Sequence, residues 1–215
     1  MKKGKLELLD YTDDTTLVDL LNETEVFVAA QTKKNVQCRM CGECCHRAPV
    51  LGLDILQLSQ AASLPVPQWA AKQLMVPEPP DSEARRKGIA ELRQQSELSD
   101  VEAAVLYEYN QSEPVSFLHN GKDRCFYQNG SLCGNYENRP FVCRLYLCRF
   151  GERLQDLLEM IVTQGTWHAY HVLGLVPVEE IGHNPFLKAE SYGDVRLKSF
   201  EFGLEKAMGE LFSYF

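Results

Sequence analysis

The sequence predicts a mainly α protein with small β-hairpins, an α+β fold class, built as one domain over residues 1–215. Three observations predict it. Apolar residues recur at helical spacing in several stretches. Two Asn-Gly pairs punctuate a short apolar and aromatic region between residues 115 and 135. Hydrophobic content of 45% with 24% charged residues is that of an ordinary globular chain, which excludes disordered, collagen-like and coiled-coil classes. A chain of 215 residues is long enough to bury about 70% of the surface its unfolded form exposes.

Along the chain, the first twelve residues read as a short strand or arm. Asp13, Asp14 and Thr15 are N-cap candidates, with acidic charge at the positive end of a helix dipole. Leu17, Val18, Leu20, Leu21 and Phe27 follow at helical spacing, so 15–31 is predicted to be a helix. QTKKNVQ leads into a first cysteine block, CRMCGECCHRAP. Asp54 is then placed to cap a helix that buries Leu56 and Leu58. Pro65 and Pro67 end that helix and start another, with proline early, where a missing N–H costs least. Residues 77–100 are a polar insertion: a proline-rich loop, then an exposed helix from Asp81 to about Gln95. VEAAVLYEY regains apolar character.

Residues 115–135 read as small β structure. One turn falls at His119-Asn120-Gly121-Lys122, the other at Asn129-Gly130 before Cys133. Pro140 suits the first turn of a short helix. Residues 150–215 form a helical C-terminal part: about 152–164, a segment near 166–173, and an amphipathic helix at about 196–213 carrying Phe200, Leu204, Met208, Leu211 and Phe212.

Charge and targeting narrow the setting. A net charge of −8 is a poor match to phosphate backbone, so nucleic acid is not expected as a partner. No stretch approaches the roughly 20 apolar residues that span a bilayer, so no membrane is expected either. MKKGKLELLDYTDD has lysines with no apolar core behind them and does not read as a secretory signal. A reducing cytoplasm, where thiols stay thiols or bind metal, is the expected compartment.

The eight cysteines fall into two groups of four. The first is Cys38-x2-Cys41-x2-Cys44-Cys45; the second is Cys125-x7-Cys133-x9-Cys143-x4-Cys148. A Cys-x2-Cys pair lets both sulfurs meet one metal while the backbone turns its N–H groups toward them. Gly42 permits the close backbone approach of such a knuckle. Three cysteines at x2, x2 are the local part of a ferredoxin run that ligates a [4Fe–4S] cluster with a remote fourth ligand. Cys38, Cys41 and Cys44 match that part, and Cys125, Cys133 or Cys143 would close the site. Zinc is the alternative, since the Cys-x2-Cys-Gly knuckle also opens zinc ribbons. A ribbon's second, downstream Cys-x2-Cys is absent from this sequence. Adjacent Cys44 and Cys45 do not aim both sulfurs at one ion, so one ligates and one packs, or they serve different metals. Eight unrelated buried thiols are the bland reading; packing has no need of CxxCxxCC. Cys148 is the member closest to that bland reading. The predicted metal region spans 36–148, with helices packed around a cysteine-ligated centre. Because the ligands come from remote segments, folding and metal binding are expected to be coupled.

At these residues the sequence resembles the zinc- or iron-chelating CxxCxxCC family, the YkgJ-like cysteine-cluster proteins. The matches are CRMCGECC at 38–45 and CFYQNGSLCGNYENRPFVCR at 125–144. The second contains the family's order of Cys125, Phe126-Tyr127, Cys133, Tyr136, Arg139-Pro140, Cys143 and Arg144. About 30 residues match closely, 36–148 match loosely, and the tail after 150 is not covered. The resemblance implies a metal or iron–sulfur centre on these cysteines. Some members are described as iron–sulfur oxidoreductases, which would need a protein redox or substrate partner, and one branch resembles flagellin lysine N-methylases. A lysine N-methylase-like transferase is therefore a further alternative, resting on kinship. The sequence has no radical-SAM Cys-x3-Cys-x2-Cys, no dinucleotide fingerprint and no P-loop.

Other residues carry weaker signals. Arg139 and Arg144 flank Cys143 and either offset thiolate charge or form ordinary ion pairs. Tyr136 reads as core before it reads as a lid on the site. His168 and His171, at i and i+3, suit half of a metal site, but no HExxH or carboxylate accompanies them, and a surface or core role is favoured. His46 adjoins Cys45, where ligation is the less favoured role because the cysteines suffice.

Overall fold

The computed structural model of the protein describes residues 11–32, 48–119, 124–129, 132–145 and 152–202. Helix α1 is Leu17–Thr32. Its cap is Thr16, not Asp13, Asp14 or Thr15. The Thr16 hydroxyl accepts from the Asp19 N–H at 3.3 Å, and the Asp19 carboxylate accepts from the Thr16 N–H at 2.8 Å. Thr15 instead closes a turn with Thr12. Leu17, Leu20 and Leu21 bury the helix against the core.

Helix α2 is Gly52–Ala61. Its buried side is Leu53, Asp54, Ile55 and Ser59, not the expected Leu56 and Leu58; Leu56 is exposed and Leu58 only partly covered. The helix stops where Ser63 takes a left-handed φ of 53°. Helix α3, Val66–Gln73, has Pro67 in its first turn and buries Trp69 and Ala70. It runs into β1, Leu74–Met75. The polar insertion folds as α4, Ser82–Gln95, with the Asp81 carboxylate accepting from the Glu83 and Ala84 N–H groups at 2.9 and 2.8 Å. Helix α5, Asp100–Gln111, starts on a Ser99–Glu102 capping box. Strand β2, Ser116–Phe117, pairs antiparallel with β1.

Strands β3, Gln128–Asn129, and β4, Leu132–Cys133, form the hairpin expected from the second Asn-Gly pair. An antiparallel bridge between His119 and Cys125 marks the first hairpin. The four-residue helix α6, Phe141–Arg144, follows Pro140 as expected.

Helix α7, Glu152–Val172, is one 21-residue element where two segments were expected. Gly165 interrupts the pattern without interrupting the helix. A Cβ there would lie 2.8 Å from Leu51 Cδ2, so the glycine admits a neighbour rather than ending a turn. The helix ends at Gly174, whose φ of 76° allows the Gly174 N–H to reach His171 O and the Leu175 N–H to reach Tyr170 O. The expected helix at 196–213 begins as a 3-10 turn, Leu197–Phe200; residues 203–215 lie outside the described residues. Backbone bonds Leu17 N–H to Val195 O and Leu197 N–H to Thr15 O tie this region to the start of α1.

Helix α7 feeds both hydrophobic clusters. Leu154, Ile161 and their neighbours pack with α1, α5, α6, Phe186 and Leu197. Trp167, Ala169 and Tyr170 pack with Ile55, Trp69, Tyr107, Phe117 and Ile181. Between α4, α5 and α7 sits a buried polar knot that no periodicity announced. Arg85 pairs with Glu108 at 2.6 Å, and the same carboxylate accepts from Gln164 Nε2 at 2.7 Å and faces His183 Nε2 at 3.1 Å. Trp167 Nε1–H donates to Glu108 O, and its ring lies 5.3 Å under the Arg85 guanidinium. A buried carboxylate with this many donors is compensated for lost hydration.

The architecture is therefore seven α-helices with two two-stranded antiparallel sheets among the described residues, an α+β fold dominated by helix. No described helix is long and apolar enough to cross a membrane.

Candidate metal centre

The first cysteine block (Cys38, Cys41, Cys44 and Cys45), His46 and Cys148 lie outside the described residues. Their flanks and the other three cysteines are described, and the fold brings those flanks together. The chain leaving the first block runs along β2: Pro49 bridges Ser116, and the Val50 N–H donates to Val115 O at 2.8 Å. The same strand continues through Leu118, whose carbonyl accepts from the Phe126 N–H at 2.7 Å, to His119, the bridge partner of Cys125. One short strand thus has the exit of the first block on it at one end and Cys125 at the other.

Cys133 sits in β4 opposite Gln128, and the Gly134 N–H donates to Tyr127 O at 2.8 Å. Tyr127 lies between the two cysteines in sequence and feels the charge of both. Burial pushes its phenol pKa up, and charge on Cys125 and on Cys133 pushes it the same way. The phenol donates to Gln73 Oε1 at 3.1 Å, and the ring packs edge-on against Phe117 at 4.9 Å. A rigid aromatic post therefore holds this hairpin on β2. Phe126, beside it, is exposed.

Cys143 belongs to α6. Arg139 stacks 3.9 Å over the Tyr136 ring and donates to Cys143 O at 3.4 Å, so Tyr136 is a half-buried platform for an arginine rather than a core residue. Arg144 pairs with Glu25 at 3.3 Å on the surface, the ordinary ion pairing that composition allowed. The N-terminus of α6 is held by Asp54: Phe141 N–H donates to Asp54 Oδ1 at 2.9 Å, while Leu51 N–H donates to Asp54 Oδ2 at 2.9 Å. Burial raises the Asp54 pKa from 3.8 to about 6, against the pull of these two N–H groups, Tyr192 and Arg144. The sequence shows only the capping half of this residue. Its second partner is 87 positions away, beyond any local signal.

Cys125, Cys133 and Cys143 are all partly covered, and none is in a disulfide. Soft thiol donors on a pinned hairpin and a pinned helix fit a zinc or iron–sulfur group by donor chemistry. Among the described residues, no three His, Cys, Asp or Glu side chains converge to hold a metal by themselves. His168 belongs to the core and His171 is half-buried at its edge. His168 stacks on Phe186 at 5.8 Å, and burial, then His171, lowers its pKa to about 4; His171 Nδ1 sits 3.1 Å from Val176 O.

Residues 37–160, more than half of the chain, match the CxxCxxCC family, described as a putative zinc- or iron-chelating domain. The chain belongs to the CxxCxxCC family. The match extends the resemblance past residue 150, into the first half of α7. Zinc or iron chelation is the function the CxxCxxCC description carries, and it agrees with the thiols on the hairpin and α6. No curated protein and no solved structure matches the chain.

Proposed function

We propose that this CxxCxxCC protein binds a [4Fe–4S] cluster and serves in electron transfer or cluster-dependent redox chemistry with a protein partner. Cys38, Cys41 and Cys44 are the local ligands, and Cys125, Cys133 or Cys143 closes the site from the second half. The observation that carries the reading is the x2, x2 spacing, which matches the local part of a ferredoxin run. The bound cluster would supply a redox couple; the chain supplies thiolates and backbone N–H groups that tune it. Tyr127 and Phe117 hold the Cys125–Cys133 hairpin in place, and α6 presents Cys143. Structural zinc is the second reading, supported by the family description, which names zinc beside iron.

Elemental analysis of anaerobically purified protein tests the choice. A brown protein with about four iron per chain is expected. A colourless protein with stoichiometric zinc overturns the cluster and leaves the zinc module. Cys41→Ser should lose the metal, and Cys148→Ser should retain most of it. Equal loss in the two variants would make Cys148 a ligand of the same standing.

A further inference from the structure

Asp54 does more than a helix cap requires. A cap needs one acceptor for one N–H near the start of its own helix, and Leu51 N–H to Asp54 Oδ2 satisfies that. The other oxygen is spent on Phe141 N–H, the first residue of the helix that carries Cys143. Both acceptor oxygens of one buried carboxylate therefore fasten two chain segments. One leaves the first cysteine block at Ala48–Leu51; the other leads into the second block's Cys143. A buried carboxylate is costly, and a neutral glutamine at this third helical position would serve the bond back to Leu51 alone. Only a side chain with two independent acceptors serves both segments at once; an asparagine has one oxygen, and its NH2 only donates. The third wall of the joint is Tyr192, whose ring packs 4.6 Å from the Phe141 ring.

We propose that Asp54 is a positioning residue for the metal centre: its carboxylate fixes the Cys143 helix against the chain that leaves the first cysteine block. The inference rests on the reading that these cysteines bind metal, and it takes Cys143, the one on α6, as the ligand that closes the site. It predicts a defect in metal binding beyond any loss of stability. The test uses the full chain, with zinc affinity measured by chelator competition and cobalt added as a spectroscopic probe. Asp54→Asn should bind zinc about 10- to 100-fold more weakly, the usual effect of losing an outer-shell partner. At saturating cobalt it should also show weaker thiolate-to-cobalt absorption per ion, because Cys143 drops out of the donor set. Leu92→Ala is the control. It loosens α4 on α5, which carry no cysteine, and should leave both readouts at wild-type values in folded protein.

Wild-type affinity and absorption in Asp54→Asn overturn the inference, as does an equal loss in Leu92→Ala. Wild-type protein that takes up neither metal, and carries no iron when purified anaerobically, overturns the metal-binding reading itself. If Asp54→Asn does not fold, Asp54→Glu keeps the carboxylate and moves both acceptor oxygens one methylene away from the two N–H groups. It should weaken zinc in the same direction, and unchanged affinity would then overturn the inference.

Discussion

Asp54 and His168 are buried ionisable side chains that pull stability in opposite directions with pH. The Asp54 carboxyl rises from 3.8 to about 6 because burial disfavours its charge. Between those values the folded state holds a proton that the unfolded chain releases, so this contribution falls as pH rises from about 4 to about 6 and is level above. His168 drops from 6.5 to about 4, again through burial, with His171 adding to it. There the unfolded chain holds the proton more tightly, so stability is lost as pH falls from about 6.5 toward about 4. Each gap amounts to about 3 kcal/mol at 1.36 kcal/mol per pH unit, so over the shared window the two slopes largely cancel. His168→Gln removes one of them. The variant should be less stable than wild type near neutrality, and the difference should shrink by up to about 3 kcal/mol as the pH falls to about 4. Paired urea titrations across that window read it directly. A constant difference would mean that His168 titrates alike in the folded and unfolded chains.

Helices α2 and α7 cross at two glycines, and that crossing sets where Leu51 and Asp54 stand. A Cβ on Gly52 would lie 2.3 Å from His168 Nδ1 and 2.9 Å from the His168 backbone carbonyl carbon, so the obstacle is partly main chain and cannot swing aside. Gly52→Ala should cost about 1–3 kcal/mol by overpacking, although alanine is the better helix former. Gly182→Ala is the contrast. Its φ is −55° and its nearest obstacle is 4.0 Å away, so it should be neutral or stabilise by up to about 1 kcal/mol through the unfolded chain. Equal urea midpoints for the two variants would show that the crossing has slack. The same crossing explains why some elements were legible in the sequence and others not. Caps and Asn-Gly pairs are local signals, so α3, α4 and the β3–β4 hairpin could be read directly from residues such as Pro67, Asp81 and Asn129. The break between 152–164 and 166–173 falls at Gly165, and a gap in apolar pattern looks the same whether a helix ends or a neighbour presses in. Leu56 and Leu58 looked as apolar as Leu53 and Ile55; which side faces α7 is decided by the partner helix. The β1–β2 pair is two residues long on each side, too short for periodicity to show. At the candidate site, the cysteine spacing was visible at once, whereas the Asp54 contact to Phe141 and the Arg85–Glu108 knot depend on tertiary partners.

How much of the fold depends on metal follows from where its apolar packing lies. Seventy-nine residues separate Cys45 from Cys125, and a site shared across that span would close a long loop. If that loop had no core of its own, the apo chain would be unfolded, as in small zinc modules. Here the loop contains α2 to α5, which pack on α7 through Leu53, Val105, Leu106, Trp69 and Tyr107, with Asp54 and the Arg85–Glu108 knot as polar ties. These contacts use no metal ligand. The coupling expected from the ligand spacing should therefore be partial. Metal at about 100 times its Kd adds about 2.7 kcal/mol to a folded state that already exists. For a chain of this size that is a rise in Tm of about 5–10 °C. Chelation should reverse the rise, abolish metal absorption and leave the far-ultraviolet helical signal nearly intact. Differential scanning calorimetry and circular dichroism on loaded and chelated protein measure both quantities. Loss of the helical signal together with the metal would mean that the two clusters on α7 cannot stand without the thiolate site, and that the joint at Asp54 is held shut by the metal rather than the reverse.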